Sequence, residues 1–218
     1  MSSTESVLGT VDEVEGHFVA TVFLGLGVPL VPIRSMYVHS MQISRVPGGT
    51  RVQYKGRDLP LVGSSVLLGY ARVWLALATF AMPFVLMWGQ QVDFSSWTRW
   101  ECLATYACAA LWALTFLPGR VSATEKKKLV CIGEATGAYL DPRRDGMLGR
   151  KGFCAMLEPA LRAAGTEPDP ASLRAAIARS NDTKVLGKIY AYARYAVPDS
   201  PEYGPVVDEA WSRITRLA

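Results

Sequence analysis

Three stretches of the chain carry no Asp, Glu, Lys or Arg: Gly16 to Ile33, Val73 to Val92, and Cys102 to Gly119. A helix that crosses a bilayer needs about 20 mostly apolar residues, because each adds 1.5 Å to a path of roughly 30 Å. The run from Ser64 to Gln90 meets that length. Its one charge, Arg72, lies near the beginning, where a long side chain can reach back to lipid headgroups. Tyr70 and Trp74 at one end and Trp88 at the other suit interfacial anchoring. Pro83 removes a backbone donor inside the run and predicts a kink.

A second span is expected from Trp100 to Pro118. Ala104 with Cys108, and Ala109 with Ala113, are spaced four apart and would let another helix approach closely. Pro83, Ala104, Cys108, Ala109 and Ala113 are therefore the helix-packing candidates. Only Gly89 to Arg99 join the two runs, so a transmembrane helical hairpin is predicted. Arg34, Arg45, Arg51, Lys55 and Arg57 precede it and Arg120, Lys126, Lys127 and Lys128 follow it, against Arg99 alone in the loop. The bias of Lys and Arg places both flanks in the cytoplasm and the loop 89–99 on the outer side.

The first apolar run, Phe18 to Ile33, is broken by Gly25 and Gly27 and by prolines at 29 and 32. It is short for a span. A re-entrant or interfacial segment, a third span and a strand pair in a small β unit all fit it. Residues 36–59 read as a small β-hairpin around Val46-Pro47-Gly48-Gly49, which needs other surfaces to lean on.

From Glu125 the pattern turns helical. Helices are predicted over Lys126 to Leu140, Lys151 to Ala164, Pro170 to Arg179 capped by Asp169, Thr183 to Ala196 capped by Asn181 or Asp182, and Pro205 to Leu217. The architecture expected is mainly α in three parts. Residues 1–63 form a membrane-associated segment with the β-hairpin, 64–119 the transmembrane hairpin, and 120–218 a cytoplasmic helical bundle.

Composition agrees with that division. Half of the 218 residues are apolar and only 19% are charged, below the roughly 25% usual in soluble domains. Two thirds of the charges fall after residue 119. A net charge of +4 without a basic stripe or stacking aromatics does not point to nucleic acid. Four cysteines without a C-x-x-C pair, and only His17 and His39, give no zinc spacing.

No phosphate loop, nucleophile elbow or paired-histidine motif is present. Asp141-Pro-Arg-Arg-Asp145-Gly146 has too few spaced carboxylates for a calcium loop. Arg143 and Arg144 there, with Arg72, Lys126, Lys127 and Lys128, are the candidates for lipid headgroups. Tyr190, Tyr192 and Tyr195 read as packing residues of one helix. No catalytic, cofactor or metal residue is assigned.

Gly9, Thr10, Val11, Asp12, Val14, Gly16, Val19, Ala20, Thr21, Phe23, Pro29, Leu30, Pro32 and Ser35 form the pattern GT..VD.V.G..VAT.F..PL.P..S. In this the first 80 or so residues resemble uncharacterised small membrane proteins, which carry an aromatic-rich run where this chain has Phe23-Leu-Gly-Leu-Gly27. The resemblance implies a membrane-anchoring module and no catalysis. The expected function is a non-enzymatic adaptor or assembly factor. The lipid bilayer and a protein bound through 120–218 are its expected partners, with possible homo-oligomers and no nucleic acid. A subunit of a small oligomeric pore or transporter is the alternative.

Overall fold

A computed structural model describes residues 5–25, 28–46, 49–90, 99–117 and 119–217. Four strands come first: β1 (Glu5–Val14), β2 (His17–Leu24), β3 (Val31–Val46) and β4 (Gly49–Leu59). Seven helices follow among the described residues: α1 (Gly63–Gln90), α2 (Arg99–Leu114), α3 (Ala123–Thr136), α4 (Met147–Ala163), α5 (Pro170–Arg179), α6 (Thr183–Ala196) and α7 (Gly204–Leu217). The chain divides into two compact units. One holds Met1–Glu13 and Phe18–Arg120, the other Val14–His17 and Val121–Ala218.

In the first unit the strands form one sheet in the order β1-β2-β3-β4. Of the readings of residues 18–33, the strand pair is the one found, and the span and the re-entrant segment are corrected. Phe18 to Leu24 pair antiparallel with Val31 to Val38. Val19 to Phe23 are buried on both faces of β2, so its sequence reads as a continuous apolar run with no alternation to betray the strand. Leu26 and Gly27 of the glycine break lie outside the described residues. The hairpin expected at 36–59 is present as most of β3 and all of β4, from Ser35 opposite Leu59 to Val46 opposite Gly49, but as half of a four-stranded sheet and not as a unit of its own. β1 and β2 supply the support that a lone hairpin lacks. Pro47 and Gly48 of its turn are outside the described residues.

The transmembrane hairpin also needs correction. Only one described helix is long and apolar enough to cross a membrane, the segment Gly63–Val85 of α1. α2 has 16 residues and its apolar part runs from Leu103 to Leu114. At 1.5 Å per residue the helix rises roughly 24 Å, short of the roughly 30 Å of hydrocarbon. α2 packs against α1. Residues 91–98 of the connecting loop are outside the described set.

The second unit is built round α6, which packs against α3, α4 and α7. Leu186, Ile189, Tyr190, Tyr192 and Tyr195 of α6 are all buried. Leu129, Ile132, Leu157, Leu161, Leu173 and Val206 complete the core from the surrounding helices, and Val14, the last residue of β1, is fully buried in it. Asp169 accepts backbone hydrogen bonds from Ala171 and Ser172 at the start of α5, and Asp182 from Lys184 at the start of α6. These caps fall where the sequence predicts them. α3 ends earlier than expected, because Gly137 takes a left-handed conformation and its N–H closes on the Gly133 carbonyl.

Candidate functional site

The residues worth building a site from are those that hold α1 to the sheet and those that α1 leaves uncovered. At its base, three hydroxyls from three elements meet in a sealed cluster. Thr21 Oγ1 of β2 donates to Ser65 Oγ of α1 at 2.8 Å and lies 3.0 Å from Ser35 Oγ of β3. Ser65 Oγ donates to the Gly9 carbonyl at 2.6 Å, and Ser35 Oγ accepts the Val62 N–H at 2.9 Å. Ser35 thereby satisfies a donor ahead of α1 that has no partner within the helix.

The backbone fits this contact closely. Gly9 has φ +69, and a Cβ on it would collide with the Ser65 carbonyl oxygen. A Cβ on Gly69 would stand 2.6 Å from the Phe23 ring. Thr21, Ser35 and Ser65 are fully buried. Their hydroxyls are committed to each other and to backbone, so they serve as a rivet and not as a nucleophile. Composition and motif search pass over these three residues. The one signal in the sequence is a Thr or Ser interrupting an otherwise apolar run.

Arg72 was expected at lipid headgroups. Its guanidinium instead reaches the Thr115 carbonyl at 3.3 and 3.4 Å and the carbonyl and hydroxyl of Thr10 at 3.3 and 3.1 Å. It also stands 4.8 Å from the centre of the Phe116 ring. One side chain thus joins β1, α1 and the carboxyl end of α2, where helix carbonyls lack donors. Asp12 N–H reinforces the junction by donating to the Gly119 carbonyl at 2.9 Å.

Both helices present large apolar side chains that nothing among the described residues covers. Only 17% of the apolar window of α1 is buried, and Leu67, Trp74, Leu77, Phe80, Phe84 and Val85 are exposed. Leu103, Tyr106, Leu111 and Leu114 of α2 are exposed too. Of the helix-packing candidates, Cys108, Ala109 and Pro83 are half-buried, while Ala104 and Ala113 are exposed. The half-buried stripe of α2 is Thr105, Cys108, Ala109 and Trp112, spaced as one helical face. α1 runs through Pro83 without interruption.

In the second unit the basic candidates are dispersed. Lys126 pairs with Glu15 at 3.3 Å, and Lys128 with Glu125 at 2.7 Å. Lys127 and Arg143 are exposed and Arg144 is half-buried. The Asp141–Asp145 loop proves to be a brace. Asp141 caps the 3-10 turn Pro142–Arg144 and meets Arg194 at 3.4 Å. Arg150 donates to the Asp145 carbonyl at 2.6 Å and grips both carboxylate oxygens of Asp199 at 2.7 and 3.2 Å. This grip holds the Asp199 carboxyl below its ordinary range.

The thiols are unsuited to attack. Burial, with Glu134 beside it, pushes Cys131 up to about 11, and burial, with Glu158 and Asp199, does the same for Cys154. Both remain protonated at neutral pH. Among the described residues no three His, Cys, Asp or Glu side chains come together as a metal site. An open groove of about 440 Å³ between α5 and α7 carries Arg174, Arg213 and Arg216 beside Asp208 and Glu209. Arg174 is already paired with Glu209 at 2.5 Å, and Arg213 donates to Asn181 at 2.6 Å. Chemically, the arrangement offers an apolar helical surface with a polar, rigid base. No protein-family model, no curated protein and no solved structure matches the chain, so these residues alone carry the functional reading.

Proposed function

We propose that the protein is a membrane-anchored, non-enzymatic adaptor or assembly factor, with α1 inserted in the bilayer and the helical unit of residues 121–218 presented to a protein partner. The observation that carries this reading is the exposure of α1. A core helix of a soluble protein would pass the same length and hydropathy test but would be mostly buried, whereas only 17% of this window is. Bare aromatic and aliphatic side chains at this density mark an interaction surface, and lipid covers such a surface without further protein.

The first ten residues of α1 rest on the sheet, and the part from Val73 to Gln90 leaves it. That part rises roughly 27 Å at 1.5 Å per residue, close to the thickness of the hydrocarbon. The flanking Lys and Arg then put residues 120–218 on the cytoplasmic side. The mixed-charge groove between α5 and α7 suits a protein surface better than a small ligand.

The test is fractionation followed by labelling. The protein should stay in the membrane pellet after alkaline carbonate. A cysteine at Asn181, which is exposed, should react with an impermeant maleimide only after permeabilisation. Release by carbonate would remove the anchor. For the adaptor role, crosslinking from Asn181 in native membranes should join the protein to a second polypeptide, and its absence would leave the anchor without that role.

A further inference from the structure

The end of the sheet that meets α1 is exposed and apolar, and nothing in the anchor reading uses it. Leu24 closes β2 and is paired across the sheet with Val31, the first residue of β3. Leu30 precedes it, with its N–H on the Leu24 carbonyl at 3.1 Å. Ile33 is the extra residue of a β-bulge: Val22 faces Arg34 and Phe23 faces Pro32, so Ile33 has no opposite number. A bulge re-aims a side chain, and this one leaves an isoleucine in the open. Leu30 is 61% exposed, Val31 55%, and Leu24 and Ile33 46% each.

Their position is fixed relative to α1. The Tyr70 hydroxyl donates to the Leu30 carbonyl at 2.8 Å, and the Tyr70 ring meets Phe23 at 5.1 Å. Tyr70 lies one helical turn before α1 leaves the sheet. Leu67 on the same stretch is exposed and leads into the bare surface of Trp74, Leu77 and Phe80. Arg34, next after Ile33, is instead paired with Asp58 at 3.0 Å, which marks a sharp change from apolar to charged.

We infer that this β2–β3 end of the sheet is a lipid-contact surface, with Leu24, Leu30, Val31 and Ile33 seated at the boundary between headgroups and acyl chains where α1 enters the bilayer. The inference rests on the anchor reading and adds to it. The occupant is lipid because the patch is continuous with the face that α1 turns to the bilayer, and because the Tyr70 hydrogen bond holds both at one level. Apolar side chains that dip into the boundary region bind in proportion to the area they bury. The sheet is then an interfacial foot that sets how deep α1 sits.

The test uses the full chain in vesicles of phosphatidylcholine and phosphatidylglycerol, with an environment-sensitive fluorescent amino acid at Leu30, Phe84 or Gln53 in separate preparations. All three positions are exposed, so the probes leave the packing intact. Lipids with nitroxides just below the headgroup should quench residue 30, deeper nitroxides should quench residue 84, and neither should quench residue 53. Quenching at 84 with none at 30 overturns the inference and leaves the anchor standing. Quenching at neither overturns both. A blue shift at residue 30 without lipid quenching means that protein covers the patch, and the lipid assignment fails.

Discussion

Ser65 is the residue through which the sheet holds α1, since it donates to Gly9 and accepts from Thr21 in a place closed to water. Ser65→Ala leaves a carbonyl and a hydroxyl unsatisfied, at about 1–3 kcal/mol, and should lower the thermal midpoint of the full chain in detergent. Gly9→Ala should cost more, because φ +69 disfavours any side chain and the new Cβ meets backbone. Arg72 acts by reaching two elements at once. Lysine keeps the charge but loses the planar fork, so Arg72→Lys should speed amide exchange around Thr115 on the order of tenfold, the equivalent of one lost charged hydrogen bond. No change in exchange would mean that Arg72 does not hold the end of α2. Little of this was legible in the sequence. Arg72 inside an apolar run reads as a snorkelling residue, and only the fold shows Thr10 and Thr115 within its reach.

The helical elements were the more readable level, because caps are local. An Asp before a proline or before a helical run offers its carboxylate to the nearest free N–H groups, whatever the rest of the fold does. Asp182→Ala should therefore cost about 1 kcal/mol, seen as a drop in the melting of the second unit. The Arg150–Asp199 pair links the start of α4 to the turn after α6 and gives a pH signature. Asp199 titrates below its ordinary value in the folded chain, so its contribution is present above the unfolded value of about 3.9 and is lost as pH falls through the folded one. Melting of the unit should fall on the acid side, and Asp199→Asn should be less stable at neutral pH yet show a shallower acid decline. An unchanged acid slope would remove Asp199 from that role. The strands were less legible. β2 is covered on both faces and so loses the alternation that would identify it, and the two prolines made Phe18 to Ile33 look like a broken helix.

For the molecule as a whole, the central prediction concerns lipid. Asp at the middle of a membrane helix costs about 2.5–3.5 kcal/mol by insertion scales, about two decades in an insertion equilibrium. Phe80→Asp should therefore sharply reduce the carbonate-resistant fraction, while Leu148→Asp, on an exposed position of α4, should leave it unchanged. Equal retention of both variants would argue that α1 is covered by protein. The second unit draws part of its core from far upstream. Val14→Ala empties two methyl groups from a fully buried site and should cost about 2 kcal/mol. A fragment beginning at Val121 should be less stable than one to which residues 14–17 are restored in trans.

Apolar length, the skew of Lys and Arg, and most helix starts in the last hundred residues were fixed by the amino-acid order alone, because each depends on neighbours within a turn or two or on hydrophobicity summed over a window. Which apolar run becomes sheet and which becomes a long helix with an exposed apolar face was decided only by the tertiary structure. Phe18 to Phe23 find partners across β3 and under α1, and these bury them. The outer face of α1 finds none. A short apolar segment has no such preference until the rest of the chain offers it a surface or withholds one.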